Sequence, residues 1–286
     1  MAVDSRQAVH AMMPIFIESL HDERLDVYRQ LKKSNLTRWS KRFIAEGDKV
    51  VLRLLQSDFA IESILTTDRY LEEVTAALVS RSARHAGDRE QISVFIVPEG
   101  LLPQIVGFNF HRGMLACGTR KAGTRLEDFC LPIDRSLRLV VCADVQGPDN
   151  LGVILRTASA LGVQGVVLGP GAGDPFSRRV LRVSMGSALS LPIYESSDLA
   201  ADLTRLCTEF QVQCIATVLD NSATPLHALT PFLRMAVVFG NEGHGLDAAI
   251  VSRCQQRVFI PMERGVDSLN VAVAAGIFLY ELGRSV

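Results

Sequence analysis

The sequence lacks paired cysteines, an excess of basic charge and any long apolar run, and each absence removes a class of protein. Six cysteines (Cys117, Cys130, Cys142, Cys207, Cys214, Cys254) include no CxxC pair, and the six histidines show no metal-ligand spacing. Zinc-ribbon, thioredoxin-type and disulfide-scaffold frameworks are therefore disfavoured. Most of the cysteines sit in apolar runs, which predicts buried free thiols in a reducing compartment. The formal net charge is −1. No global basic field advertises nucleic acid, so any such contact must come from local patches. The apolar stretch from Ala11 to Ile17 is short, broken by Pro14 and followed by Glu18, Asp22 and Glu23. It does not read as a signal peptide, and nothing approaches the length of a membrane span. The expectation is a soluble, cytoplasmic protein. There are no internal repeats, no low-complexity tracts, and no GxGxxG fingerprint after any predicted strand.

What is present suits a folded chain of two domains. The 286 residues are 48% hydrophobic and 21% charged, enough for a sizeable core. All five lysines (Lys32, Lys33, Lys41, Lys49, Lys121) fall in the first 121 residues, and every later basic side chain is arginine. A linker candidate follows at 121–124 and again at 131–134. The first half alternates element types, with helices predicted over 22–31, 48–55 and 70–79 and strands over 42–46, 60–66, 92–97 and 113–117. That pattern is a small α/β sandwich. The second half repeats strand and helix. Strands are predicted over 137–142, 165–168, 214–218, 235–239 and 257–260, and helices over 151–161, 198–210, 244–251 and 269–282. The strands are near-continuous apolar runs, the signature of a parallel sheet covered on both faces.

Three strand-to-helix junctions in the second half carry polar residues in apolar settings. The first holds Asn150-Leu151-Gly152, then Arg156-Thr157-Ala158 and Gly162. The second runs from Val237 through Gly240-Asn241-Glu242-Gly243-His244-Gly245 to Leu246. The third runs from Ile260 through Glu263, Arg264 and Gly265 to Ser268, Leu269 and Asn270, and leads straight into a helical stretch. Helix N-termini at strand ends are where α/β proteins hold ligands. Taken alone, each residue has a plain structural role. Arg156 reads as a surface arginine on its helix. Asn150 and Ser268 read as helix N-caps, and Asn270 as a polar group in a first turn. Glu242 reads as a capping carboxylate in a glycine-rich turn, and His244 as an exposed helix-start residue.

In order and spacing, the three junctions together resemble the motifs of the SpoU class of RNA ribose 2′-O-methyltransferases, within the SPOUT superfamily. The resemblance is tight over the last half of the chain and loose over the first, where the family often carries an RNA-binding extension. It implies a 135–286 methyltransferase domain whose parallel sheet is threaded into a deep trefoil knot. It also implies a small α/β RNA-binding domain over 21–125 and an extension over 1–20. The implied activity is methylation of a ribose 2′-hydroxyl in ribosomal or transfer RNA by a homodimer with composite sites. The implied methyl donor is S-adenosyl-L-methionine, with no metal. By the resemblance, Arg156 takes the central catalytic role, and Asn150, Glu242, Ser268 and Asn270 shape the ribose site. Thr217, Gly240, Ile260 and Leu269 hold the donor largely through backbone groups. Arg264 stands where the family pattern usually carries a small residue.

Guanidinium stays charged and grips phosphate bidentately, so Arg156 is expected to position and stabilise, with the proton passing to a phosphate oxygen or water. Arg29, Lys32, Lys33, Arg38, Lys41 and Arg42 form an acid-free basic run around Trp39. Phosphate contact plus base stacking on Trp39 is the expected use of that run. A second patch comprises His111, Arg112, Arg120, Lys121 and Arg125, and a third Arg178, Arg179 and Arg182. Two other readings stand beside this one: a catalytically silent RNA-binding paralogue and a Rossmann-type nucleotide-binding oxidoreductase.

Overall fold

The computed structural model describes residues 14–29, 31, 41–84, 91–108, 110, 113–121, 123–130, 132–263 and 268–283. Lys32, Lys33, Arg38, Trp39, His111, Arg112 and Arg264 lie outside the described residues. The chain folds as two compact units. One comprises Met1–Lys121 with Phe176–Leu189, the other Ala122–Pro175 with Ser190–Val286.

The first unit is built on five strands: β1 (Ile15–Phe16), β2 (Arg42–Glu46), β3 (Ile61–Thr66), β4 (Ser93–Ile96) and β5 (Met114–Thr119). Their order is β1-β4-β3-β5-β2, with β5 antiparallel to both its neighbours. Ile44, Leu65, Phe95 and Leu115 pack on the sheet against Leu25, Tyr28 and Ile105. The helices Asp48–Gln56 and Leu71–Arg84 follow the expected places, but 22–31 does not form an α-helix. Among the described residues there, a 3₁₀ turn over Glu23–Tyr28 forms instead, opened by the Asp22 carboxylate on the Arg24 N–H. The backbone turns extended at Arg29, which ends that turn, and the Arg29 guanidinium donates to the carbonyls of Leu20 and Asp22.

A stretch from the far side of the boundary completes this unit. Placing a domain start at 135 assigns Phe176–Leu189 to the second half, yet these residues pack with the first. Phe176 stacks on Phe43 at 5.5 Å and meets Phe59 at 5.3 Å. Glu46, at 3% exposure, lies 3.4 Å from Arg178 and 3.3 Å from Arg182. The third basic patch is therefore largely spent on a buried carboxylate. Arg42 is also paired, its Nε donating to the partly exposed Glu62 at 2.8 Å. Lys41 is exposed and adopts a left-handed backbone conformation, with φ at 56°.

The second unit holds one all-parallel sheet of seven strands: β6 (Leu137–Cys142), β7 (Gly165–Leu168), β8 (Ile193–Glu195), β9 (Gln213–Thr217), β10 (Thr224–Pro225), β11 (Arg234–Phe239) and β12 (Gln256–Phe259). The order is β10-β12-β9-β11-β6-β7-β8. β6, β7 and β11 are buried almost throughout, as strands covered on both faces must be. Leu139, Val141, Val167, Ala236 and Val238 pack against Leu203, Leu206 and Phe210. The chain runs outward from β6 to β8 and then returns on the other side of β6. The insertion of β11 between β6 and β9 is thus a topological switch point, the place where open α/β sheets bind ligands. Between the two linker candidates lies a short helix, Leu126–Cys130. The short edge strands β8 and β10 had no sequence pattern long enough to reveal them.

Candidate active site

The site forms where the carboxyl ends of β9, β11 and β12 meet the start of the last helix, Val271–Gly283. Together they enclose a cavity of about 1010 Å³. β9 contributes Thr217 and the segment through Asp220, and β11 contributes Phe239 through Leu246. Ile260 and Met262 follow β12, and Ser268, Leu269 and Asn270 precede the last helix. Asn150 reaches in from the helix Pro148–Ala160. All four residues expected to hold the methyl donor line this cavity, as do Asn150, Glu242, Ser268 and Asn270. Arg156 does not.

A hydrogen-bonded chain ties the three junctions together. Asn270 Nδ2 donates to Asn150 Oδ1 at 2.9 Å, and Asn150 Nδ2 donates to Glu242 Oε1 at 3.0 Å. Glu242 also accepts from the backbone N–H of Gly147 at 2.9 Å and of Gln146 at 3.4 Å. These N–H groups stand at the start of the helix Pro148–Ala160, for which Gly147 is the N-cap. Partial positive charge at that terminus favours an anion there. Burial tends to raise the Glu242 pKa, but the Asn150 amide and the backbone N–H groups together outweigh it and hold the carboxyl below its usual range.

Two roles expected of single residues change. Asn150 does not cap its helix; it is the third helical residue, and its amide bridges Glu242 and Asn270. Asn270, not Ser268, caps the last helix. Its Oδ1 accepts from Ala272 N at 2.9 Å and Val273 N at 3.3 Å, while its carbonyl accepts from Ala274 N. Asn270 is one residue before Val271, where the helix begins, so its short side chain reaches those N–H groups and that of Ser268 does not.

The glycine-rich segment is a turn, and the helix predicted over 244–251 is confined to Ala248–Val251, capped by Asp247. Asn241 and Gly245 exchange backbone hydrogen bonds at 2.9 and 3.0 Å. A Cβ on Gly240 would stand 2.3 Å from the Gly245 carbonyl carbon, so that turn can close only on glycine. A Cβ on Gly147 would meet the Glu242 carboxylate at 2.7 Å.

Sequence reasoning missed the anchor beneath this turn. Asn241 Nδ2 donates to both the carbonyl and the carboxylate of Asp144, at 3.2 and 3.0 Å. His244 Nε2 lies 3.5 Å from the same carboxylate. Asp144 closely follows the apolar run of β6, and that position was the available signal. Thr217 Oγ1 donates to the Val238 carbonyl at 2.9 Å, fixing β9 against β11 beside the cavity. Arg257 and Asp220 form an ion pair at the rim.

Arg156 is exposed and shares one face of its helix with Asp149, Val153 and Ala160. Among the described residues no hydrogen bond or ion pair holds its guanidinium. No group of three or more His, Cys, Asp or Glu that could hold a metal occurs among the described residues, and no described helix is long and apolar enough to cross a membrane.

Fold and cavity together define an α/β protein with a large cavity at the carboxyl ends of its parallel sheet, beside the switch point. Residues 137–280 match the SpoU rRNA Methylase family, and the chain belongs to that family. It is 36% identical over 272 residues to an uncharacterised tRNA/rRNA methyltransferase of Mycobacterium tuberculosis, covering 92% of this chain and 90% of that one. It is 28% identical to the 23S rRNA (guanosine(2553)-2′-O)-methyltransferase RlmP of Bacillus subtilis, covering 93% of this chain and 98% of the relative. The crystal structure of an AdoMet-bound rRNA methyltransferase from Sinorhizobium meliloti superposes with a TM-score of 0.77 at 26% identity, over 94% of this chain and 97% of that one.

Proposed function

We propose that this chain transfers a methyl group from S-adenosylmethionine to a ribose 2′-hydroxyl in ribosomal or transfer RNA. The observation that carries the reading is the convergence of all three junctions on one cavity, locked by the Asn270–Asn150–Glu242 chain. Family membership and the names of the relatives point the same way.

The cavity suits the donor. Its volume is at the upper end of the range for small-molecule sites, and its wall mixes apolar side chains with strand-end backbone. Backbone groups at Thr217, Gly240, Ile260 and Leu269 would hold and orient the donor. When bound, its sulfonium supplies an already activated methyl group, so the protein contributes mainly alignment. Asn150 and Asn270 present polar edges at the cavity wall for the ribose, held in one orientation by Glu242. Glu242 is already bound by three donors and has a lowered pKa, which makes it a positioning anion and a poor proton acceptor. Arg156 would clamp a phosphate beside the target ribose, and the 2′-hydroxyl proton would leave to a phosphate oxygen or water.

The reading includes a homodimer. Val273, Ile277 and Tyr280 recur at helical spacing on the last helix and are 53%, 39% and 60% exposed. Val153, on the face that carries Arg156, is 40% exposed. An interface through these side chains would bury the stripe and bring Arg156 into a composite site. The reading also includes a deep trefoil knot in the carboxyl-terminal part of the sheet, which the strand order supports, and RNA binding by the first unit in a cytoplasmic protein.

Incubation with methyl-labelled S-adenosylmethionine and bulk RNA tests the function. Label should enter RNA. Binding of NAD in preference to S-adenosylmethionine, with no label in RNA, would favour an oxidoreductase.

A further inference from the structure

Cys207 and Cys214 form a second site of chemical interest in this unit. Cys207 lies near the end of the helix Leu199–Thr208 and Cys214 on β9. Their sulfurs are 3.6 Å apart, close to van der Waals contact. The two differ in access to solvent: Cys214 is fully buried, whereas Cys207 is half-buried. Gln255 pins the arrangement. Its Oε1 accepts from the Cys214 N–H at 2.9 Å and lies 3.1 Å from the Cys207 sulfur. Its Nε2 donates to the Arg253 carbonyl at 3.1 Å, which fixes which end of the amide faces the sulfurs.

We propose that Cys207 is a nucleophile for peroxides and that Cys214 resolves the product into a reversible Cys207–Cys214 disulfide. The solvent-facing sulfur must be the attacking one, because an oxidant has no path to Cys214.

The chemistry balances in two displacements. The Cys207 thiolate attacks one peroxide oxygen, an S–O bond forms, the O–O bond breaks, and hydroxide leaves to become water. Cys207 is then a sulfenic acid. The Cys214 sulfur attacks it, the S–S bond forms, the S–O bond breaks, and the departing hydroxide takes the Cys214 proton as a second water. Two thiols and one hydrogen peroxide give one disulfide and two waters. The sulfurs need only close to about 2.05 Å, and they already converge from a helix and a strand packed on each other.

The sequence makes the product easy to recognise. No lysine or arginine lies between Leu206 and Leu233, so trypsin leaves both cysteines in one peptide ending at Arg234. Cys254, which lines the large cavity, falls in a separate peptide. The experiment treats the intact wild-type chain with hydrogen peroxide, alkylates the remaining thiols and reads tryptic peptides by mass spectrometry. The expected result is a Leu206–Arg234 peptide lighter by two hydrogens and free of alkyl label, restored by dithiothreitol. In Cys214→Ser, dimedone should label Cys207, because the sulfenic acid has no resolving partner. A peptide that remains doubly alkylated after peroxide, or a crosslink between it and the Cys254 peptide, would overturn the proposal. So would Cys214→Ser protein, folded by circular dichroism, that takes up no dimedone at Cys207.

Discussion

The side-chain amide of Asn150 lies 3.0 Å from the Glu242 carboxylate although 92 positions separate them in sequence. That contact joins the helix after β6 to the turn after β11, and Asn270 extends it to the last helix. In the proposed function, these links hold the ribose-facing wall of the cavity in one geometry.

Acid should weaken this lock. Glu242 has a lowered pKa in the folded protein, so its contribution to stability is fully present above its unfolded value near 4.5 and is lost as pH falls through the folded value. Wild-type melting temperature should fall through this range more steeply than that of Glu242→Gln. Parallel acid limbs for the two proteins would remove Glu242 from the lock.

Arg156→Ala should abolish methyl transfer while leaving donor affinity within a few-fold and the melting temperature unchanged. Arg156 lies outside the cavity lining and is exposed. Calorimetric titration with S-adenosylmethionine checks this, and loss of donor binding in the variant would show that its role is misassigned.

In the first unit, Glu46→Ala should destabilise the fold strongly. It removes a carboxylate that is 3% exposed and leaves Arg178 and Arg182 without their shared partner. Breaking such pairs costs about 3–5 kcal/mol, and the lower end applies because both arginines retain some solvent. Denaturant unfolding measures it. A change below about 0.5 kcal/mol, the size of an ordinary surface substitution, would show that the pairs are not coupled to folding.

Ile277→Asp with Tyr280→Asp should convert a dimer to a monomer in light scattering at micromolar concentration. Both side chains are exposed in the isolated chain, so folding should survive. A wild-type protein that is already monomeric would place Arg156 in a single-chain site.

Much of the second unit was legible because its central strands are buried on both faces. The runs at 137–142 and 165–168 carry almost no polar residue, and their predicted bounds match the structure. The cavity-lining residues were legible only through the motif resemblance, since Thr217, Gly240, Ile260 and Leu269 have no chemistry of their own to betray a site. The Asp144–Asn241 anchor escaped because it depends on two loops meeting, which no local pattern encodes. The partners of the basic runs were not legible: Glu62 pairs with Arg42, and Glu46 with Arg178 and Arg182, from elsewhere in the first unit. That the Phe176–Leu189 stretch packs with the first unit was not legible, because it does so through aromatic packing and buried charge, not through chain continuity.

The most direct test is the position of the methyl group on the product nucleotide. A 2′-O-methyl group blocks alkaline cleavage of the adjacent phosphodiester, so RNA modified by the wild-type protein should yield a labelled, alkali-resistant dinucleotide, and Arg156→Ala should yield none. Label recovered in alkali-sensitive mononucleotides would put the methyl group on a base and contradict the account.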